Sequence, residues 1–128
     1  MTTRLGTVTI ALLLLVAGAA QAQTARTAPM MREKLVHAQG VLEALTTSDY
    51  PMLDRESGAL ARIAESPRWA ELKTRELRGY TDNFLKSVAA LAAASKRRDL
   101  DAAATTYATM VTTCYQCHQH LKSTRIAR

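Results

Sequence analysis

The sequence is poor in the residues that build strands, turns and cross-linked scaffolds. Phe and Trp occur once each, Tyr four times, Gly five times and Pro three times. That argues against a turn-rich all-β fold, whose strands draw on aromatic and β-branched residues and whose reversals draw on Gly and Pro. Two Cys are too few for a disulfide framework. No Gly-rich phosphate loop, paired carboxylates or Ser/His/Asp set stands out, so no enzyme activity is expected. Basic residues are not interleaved with aromatics, as they are in single-stranded nucleic-acid binders, and no nucleic-acid partner is expected. What is present is 128 residues, 48% of them hydrophobic, rich in Ala and Leu. That is enough for one domain with one core, helical by propensity.

The first residues read as an export signal. Arg4 supplies a positive charge, Val8 to Val16 an apolar run, and Ala20-Gln21-Ala22 a small-residue cleavage site. Residues 1–22 are therefore expected to be a cleaved secretory signal peptide and residues 23–128 the mature, periplasmic domain. The apolar run is about half the ~20 residues a spanning helix needs, so no membrane span is expected after cleavage. The mature chain carries 16 basic and 11 acidic residues. An exported basic protein is suited to an acidic protein partner or membrane surface.

Residues 23–128 show helical periodicity and no period-2 alternation. Segment A spans about Pro29 to Thr47, with Met31, Leu35, Ala38, Leu42 and Leu45 as its apolar stripe. Ser48-Asp49-Tyr50-Pro51 ends it and restarts the chain, with Ser48 or Asp49 as N-cap. Segment B runs from about Pro51 to Glu65, with Leu53, Ser57, Leu60 and Ile63 or Ala64 inward, and is broken by Ser66-Pro67. Trp69 falls in the connection or in a short turn. Segment C runs from Glu71 to Lys96, with Leu77, Tyr80, Phe84, Val88, Leu91 and Ser95 on one face. Segment D opens at its N-cap Asp99 and ends near Lys122. Its face is Leu100, Ala103, Tyr107, Met110 or Val111, Cys114, His118 and Leu121. Four amphipathic segments with short polar breaks predict an all-α, antiparallel four-helix bundle.

Both cysteines lie in Cys114-Tyr115-Gln116-Cys117-His118, near the end of segment D. C-x-x-C-H is the attachment sequence of a c-type haem. Two thiols one helical turn apart can each add to one vinyl group of the ring, and the following imidazole can bind the iron. Two other readings of the pair exist. A redox C-x-x-C belongs at a helix N-terminus beside a βαβ pattern, and no strands are visible. A zinc site needs two further ligands, and His37 and His120 are the only other histidines.

Only ten residues follow His118, so no downstream Met can serve as an axial ligand. A C-terminal C-x-x-C-H on the last of four helices, behind an export signal, resembles the class II c-type cytochromes, the cytochrome c′ family. Lys122, four residues after His118, matches a basic position common in that family. The A-to-B connection is shorter than in many of its members. The resemblance implies one covalent haem c per chain on Cys114 and Cys117, with His118 as the proximal iron ligand. It implies that segment A supplies the residue above the other face of the ring, and that two copies pair as a homodimer through segments A and B.

If that distal residue is Met, the resemblance implies six-coordinate iron and electron transfer with redox partner proteins. If it is an apolar residue, it implies five-coordinate iron that binds NO or CO. Met31, on the stripe of segment A, is the candidate ligand; Leu35 is the distal cover if no residue binds. Met30, His37 and Met52 are weaker candidates, and Met110 is on the wrong helix. Arg32 and Lys34 read as solvated charges, with the haem propionates as their other use. Electron transfer is the leading expectation. Gas binding is the alternative, and a haem-free thiol oxidoreductase the third.

Overall fold

The computed structural model describes residues 27–70 and 75–126. The expected signal peptide, residues 1–22, lies outside the described residues. The fold is an all-α helical bundle, with no strand among the described residues. Helix α1 covers residues 27–47. It is followed by α2 (Tyr50–Glu65), the four-residue α3 (Pro67–Ala70), α4 (Arg75–Arg97) and α5 (Leu100–Ile126). The expected segments correspond to α1, α2, α4 and α5, and α3 is the short turn that carries Trp69.

The chain divides into two compact units, Met1–Glu33 and Lys34–Arg128. The described part of the first is the opening of α1, where Met30 is buried and Met31 half-buried. The second holds the rest of α1 and the other helices.

The same short turn reverses the chain twice in this second unit. Ser48, after α1, has a left-handed backbone with φ 58°, as does Arg98, after α4, with φ 56°. In each case the next residue is an aspartate that closes one helix and opens another. The Asp49 N–H donates to the Ala44 carbonyl at 2.9 Å, and the Asp99 N–H to the Ala94 carbonyl at 3.0 Å. Their side chains then cap the following helices. Asp49 Oδ1 accepts from the Met52 N–H at 2.8 Å, and Asp99 Oδ1 from the Ala102 N–H at 3.0 Å. Turns this short leave the joined helices antiparallel, so α1/α2 and α4/α5 are helical hairpins. The two turns are tied together. Ser95 Oγ donates to the Tyr50 carbonyl at 2.7 Å, and the Tyr50 hydroxyl to the Arg98 carbonyl at 3.0 Å.

The core is aliphatic. Leu53, Leu60, Leu91, Val41, Val88 and Met110 are fully buried. The expected inward faces of segments B and C stand: Leu53, Ser57, Leu60 and Ile63 are buried on α2, and Phe84, Val88, Leu91 and Ser95 on α4. Trp69 is buried as well, and its indole N–H donates to Thr81 Oγ1 at 3.1 Å.

Helix α1 follows the expectation only in part: Met31, Ala38 and Leu45 of the expected stripe are half-buried. Leu35 and Leu42, placed inward by the sequence pattern, are 58% and 47% exposed. In the second unit the inward row is Lys34, His37, Val41 and Ala44, the last two fully covered. Moving from one row to the other is a rotation of about 100°, one residue along the helix. The cause is a close approach of α2. His37 Nδ1 lies 2.7 Å from Glu56 Oε2, and Arg55 Nε donates to Glu56 Oε1 at 3.0 Å. Gly40 makes room for that carboxylate: a Cβ there would lie 2.9 Å from Glu56 Cγ.

Candidate haem-attachment site

Helix α5 runs unbroken through the Cys114–His118 motif. Four threonines that would otherwise weaken it turn their hydroxyls back on the helix. Thr105, Thr109, Thr112 and Thr113 each donate to the carbonyl four residues earlier, at 2.9–3.2 Å. A continuous helix puts Cys114 and Cys117 one turn apart and His118 one turn beyond Cys114.

Both cysteines are free and half-buried. Ala103 and Met110 are buried on the same helix, and Leu100, Tyr107 and Leu121 half-buried, so most of the expected face points inward. Val111 and His118 depart from it, because both are exposed. They stand on the flank of the thiol row, where Tyr115 is also open to solvent. His120 instead meets the Tyr80 ring, with centroids 5.6 Å apart.

A cation lies within electrostatic reach of the thiols. The Lys34 ammonium, reaching in from α1, lies 3.4 Å from the centre of the Phe84 ring and 4.3 Å from that of Trp69. Burial pushes the Lys34 pKa down, against the attraction of the Cys114 and Cys117 thiolate forms. Burial likewise pushes both thiols up, while Lys34 draws them back. Tyr107 is raised by burial and then by the Cys114 charge. The thiols are thus held as neutral S–H groups. That is the opposite of the lowered thiol of a disulfide oxidoreductase. Among the described residues, no group of three or more His, Cys, Asp or Glu side chains is arranged to hold a metal ion.

The donor set fits a covalent haem. Two unpaired thiols and an imidazole occupy consecutive turns of one helix. Apolar side chains of the same helix stand in solvent: Val111 and Tyr115 flank Cys114. A flat apolar ring is the kind of group that would cover such residues. Of the residues read from the sequence, the structure brings Cys114 and Cys117 together on one face, with His118 at its edge. Leu35, the expected distal cover, is turned outward. The sequence reading missed the cluster of Lys34, Trp69 and Phe84. Its signal was the second periodic row of α1, Met30, Lys34, His37, Val41 and Ala44, which is as regular as the leucine row but carries a charge.

No family model, no curated protein and no solved structure matches the chain.

Proposed function

We propose that this chain is a periplasmic monohaem c-type cytochrome that transfers single electrons between protein partners. Cys114 and Cys117 hold the haem, and His118 is the fifth iron ligand. The observation that carries this reading is the C-x-x-C-H sequence on one uninterrupted helix, with both thiols free. The exposed Val111 and Tyr115 on the same helix support the same reading.

When bound, the haem supplies a one-electron Fe(III)/Fe(II) couple. The rest is done by this chain's own groups. Each thiol would hold the ring by adding across a vinyl double bond, sulfur to one carbon and the S–H hydrogen to the other, with no oxidant or reductant consumed. The neutral S–H form of Cys114 and Cys117 carries the hydrogen this addition needs. His118 would hold the iron through its imidazole. Apolar side chains of α5 would limit water at the ring, and electron transfer would be outer-sphere. No acid or base is required. Exposed Lys96, Arg97, Arg98 and Lys122 suit an acidic redox partner. No helix among the described residues is long and apolar enough to cross a membrane.

The test is expression with an export signal and a haem-maturation system. The expected product carries one haem that survives denaturation and organic extraction, and its reduced spectrum has sharp α and β bands. Cys114→Ala or Cys117→Ala should leave a single, weaker attachment, and the double variant none. A broad high-spin spectrum would move the assignment to a five-coordinate binder of NO or CO. Absence of any haem band would leave the thiol chemistry as the function.

A further inference from the structure

The outer face of the α2/α4 pair is an open groove of about 510 Å³, wholly within the second unit. Gly58 and Ala61 of α2 and Ala89 and Ala92 of α4 line it. Residues this small let a facing helix approach closely. Asp82 and Lys86 of α4 stand in the same lining. Both are exposed, and neither belongs to an ion pair; among the described residues those pairs join Glu56 to His37 and Arg55.

The placement of these two charges suits a second copy of the same face. Helix α2 leaves the end of the bundle where the turns are tied, and α4 arrives there, so the two are antiparallel. The hydrogen bond from Ser95 to the Tyr50 carbonyl sets them level. Eleven residues from that bond stand Phe84 on α4 and Ala61 on α2. Asp82 and Lys86 lie two residues to either side of Phe84, about 3 Å along the helix axis. A two-fold axis lying in the face at this level, across the helices, sets each Asp82 opposite Lys86 of the partner subunit. The same axis sets Ala61 against Ala61 of the partner subunit, where there is least bulk to separate the copies. One unpaired acid and one unpaired base thus become two reciprocal pairs, the pattern of an isologous interface. The 16 residues of α2 make the face about 24 Å long, and two helices make it about 20 Å wide. Each copy can then bury roughly 500 Å², about 1,000 Å² in all, which is the size of a weak, reversible contact.

We infer that two copies of this chain associate reversibly through the α2/α4 groove, with Asp82 and Lys86 paired across a two-fold axis. Helix α4 takes the place of α1 in the pairing that the cytochrome resemblance implies. The inference does not rest on the haem c reading.

The experiment is sedimentation velocity of the purified protein over a concentration series. The expected result is a monomer–dimer equilibrium that weakens as salt is added. Lys86→Asp leaves two acids at the contact, and Asp82→Lys leaves two bases. Each should raise the dimer dissociation constant about tenfold or more. Mixed in equal amounts, the two variants should associate again as a heterodimer. Both substituted side chains are exposed, so neither change removes core packing. Leu42→Glu, on the exposed side of α1, should leave association unchanged. A monomer at every concentration would overturn the inference. So would a dimer that both charge reversals leave intact, or a mixture that associates no better than either variant alone. A dimer lost in Leu42→Glu would place the contact on α1 and overturn it as well.

Discussion

Glu56 joins α1 to α2, and its chemistry makes that junction sensitive to acid. The carboxylate takes a hydrogen bond from His37, and this bond, ahead of the Arg55 contact, holds its pKa below the ordinary 4.5. A folded-state value below the unfolded one contributes stability that is present above the unfolded pKa. It is lost as pH falls through the folded pKa. The haem-free chain should therefore lose stability as pH drops from about 5. In Glu56→Gln that part of the pH dependence should flatten. Urea midpoints measured across the acid range check this, and an identical slope in the variant would contradict it. The pair could not be read from the sequence. His37 flanks the leucine stripe of α1 and Glu56 belongs to another helix, and nothing local says that they meet.

The helices themselves obey local rules, and so their ends were legible. Asp49 and Asp99 cap α2 and α5 with their own side chains, Pro51 sits in the first turn of α2, and Ser66 closes it. These are interactions within four residues, and a reader of the sequence can place them. The left-handed residues before each aspartate carry a cost that the sequence does not advertise. Ser48 holds φ 58°, a conformation that costs an L-residue about 1 kcal/mol and glycine very little. Ser48→Gly should thus raise unfolding stability by about 1 kcal/mol or somewhat less, since glycine also adds unfolded-state entropy. A denaturation midpoint that fell instead would show that the turn depends on the serine. Ser48 is exposed, and among the described residues its side chain makes no hydrogen bond.

At the scale of the whole molecule, a small aliphatic core is asked to leave an apolar margin uncovered. Val111 and Tyr115 are open to solvent beside the half-buried thiols on the same helix. A covalently held ring would cover that margin and add apolar surface at about 25 cal/mol per Å² buried. The holoprotein should therefore unfold at a clearly higher temperature than the Cys114→Ser, Cys117→Ser chain. The haem-free chain should bind a hydrophobic dye that the holoprotein excludes. Equal midpoints and equal dye binding would mean that the ring does not lie over these residues.

Helix content, helix limits and the spacing of Cys114, Cys117 and His118 depend on neighbours within one or two turns, and the linear order of residues settles them. The face that α1 turns inward does not. Two adjacent rows of that helix are equally periodic, and hydrophobicity alone favours the one with the leucines. The row that packs is chosen by partners far along the chain: Glu56 beside Gly40 and bonded to His37, and the Trp69 and Phe84 rings around the Lys34 ammonium. A charged residue is thereby brought inward against the Trp69 and Phe84 rings, because an aromatic cage can accept a cation that the aliphatic core would reject.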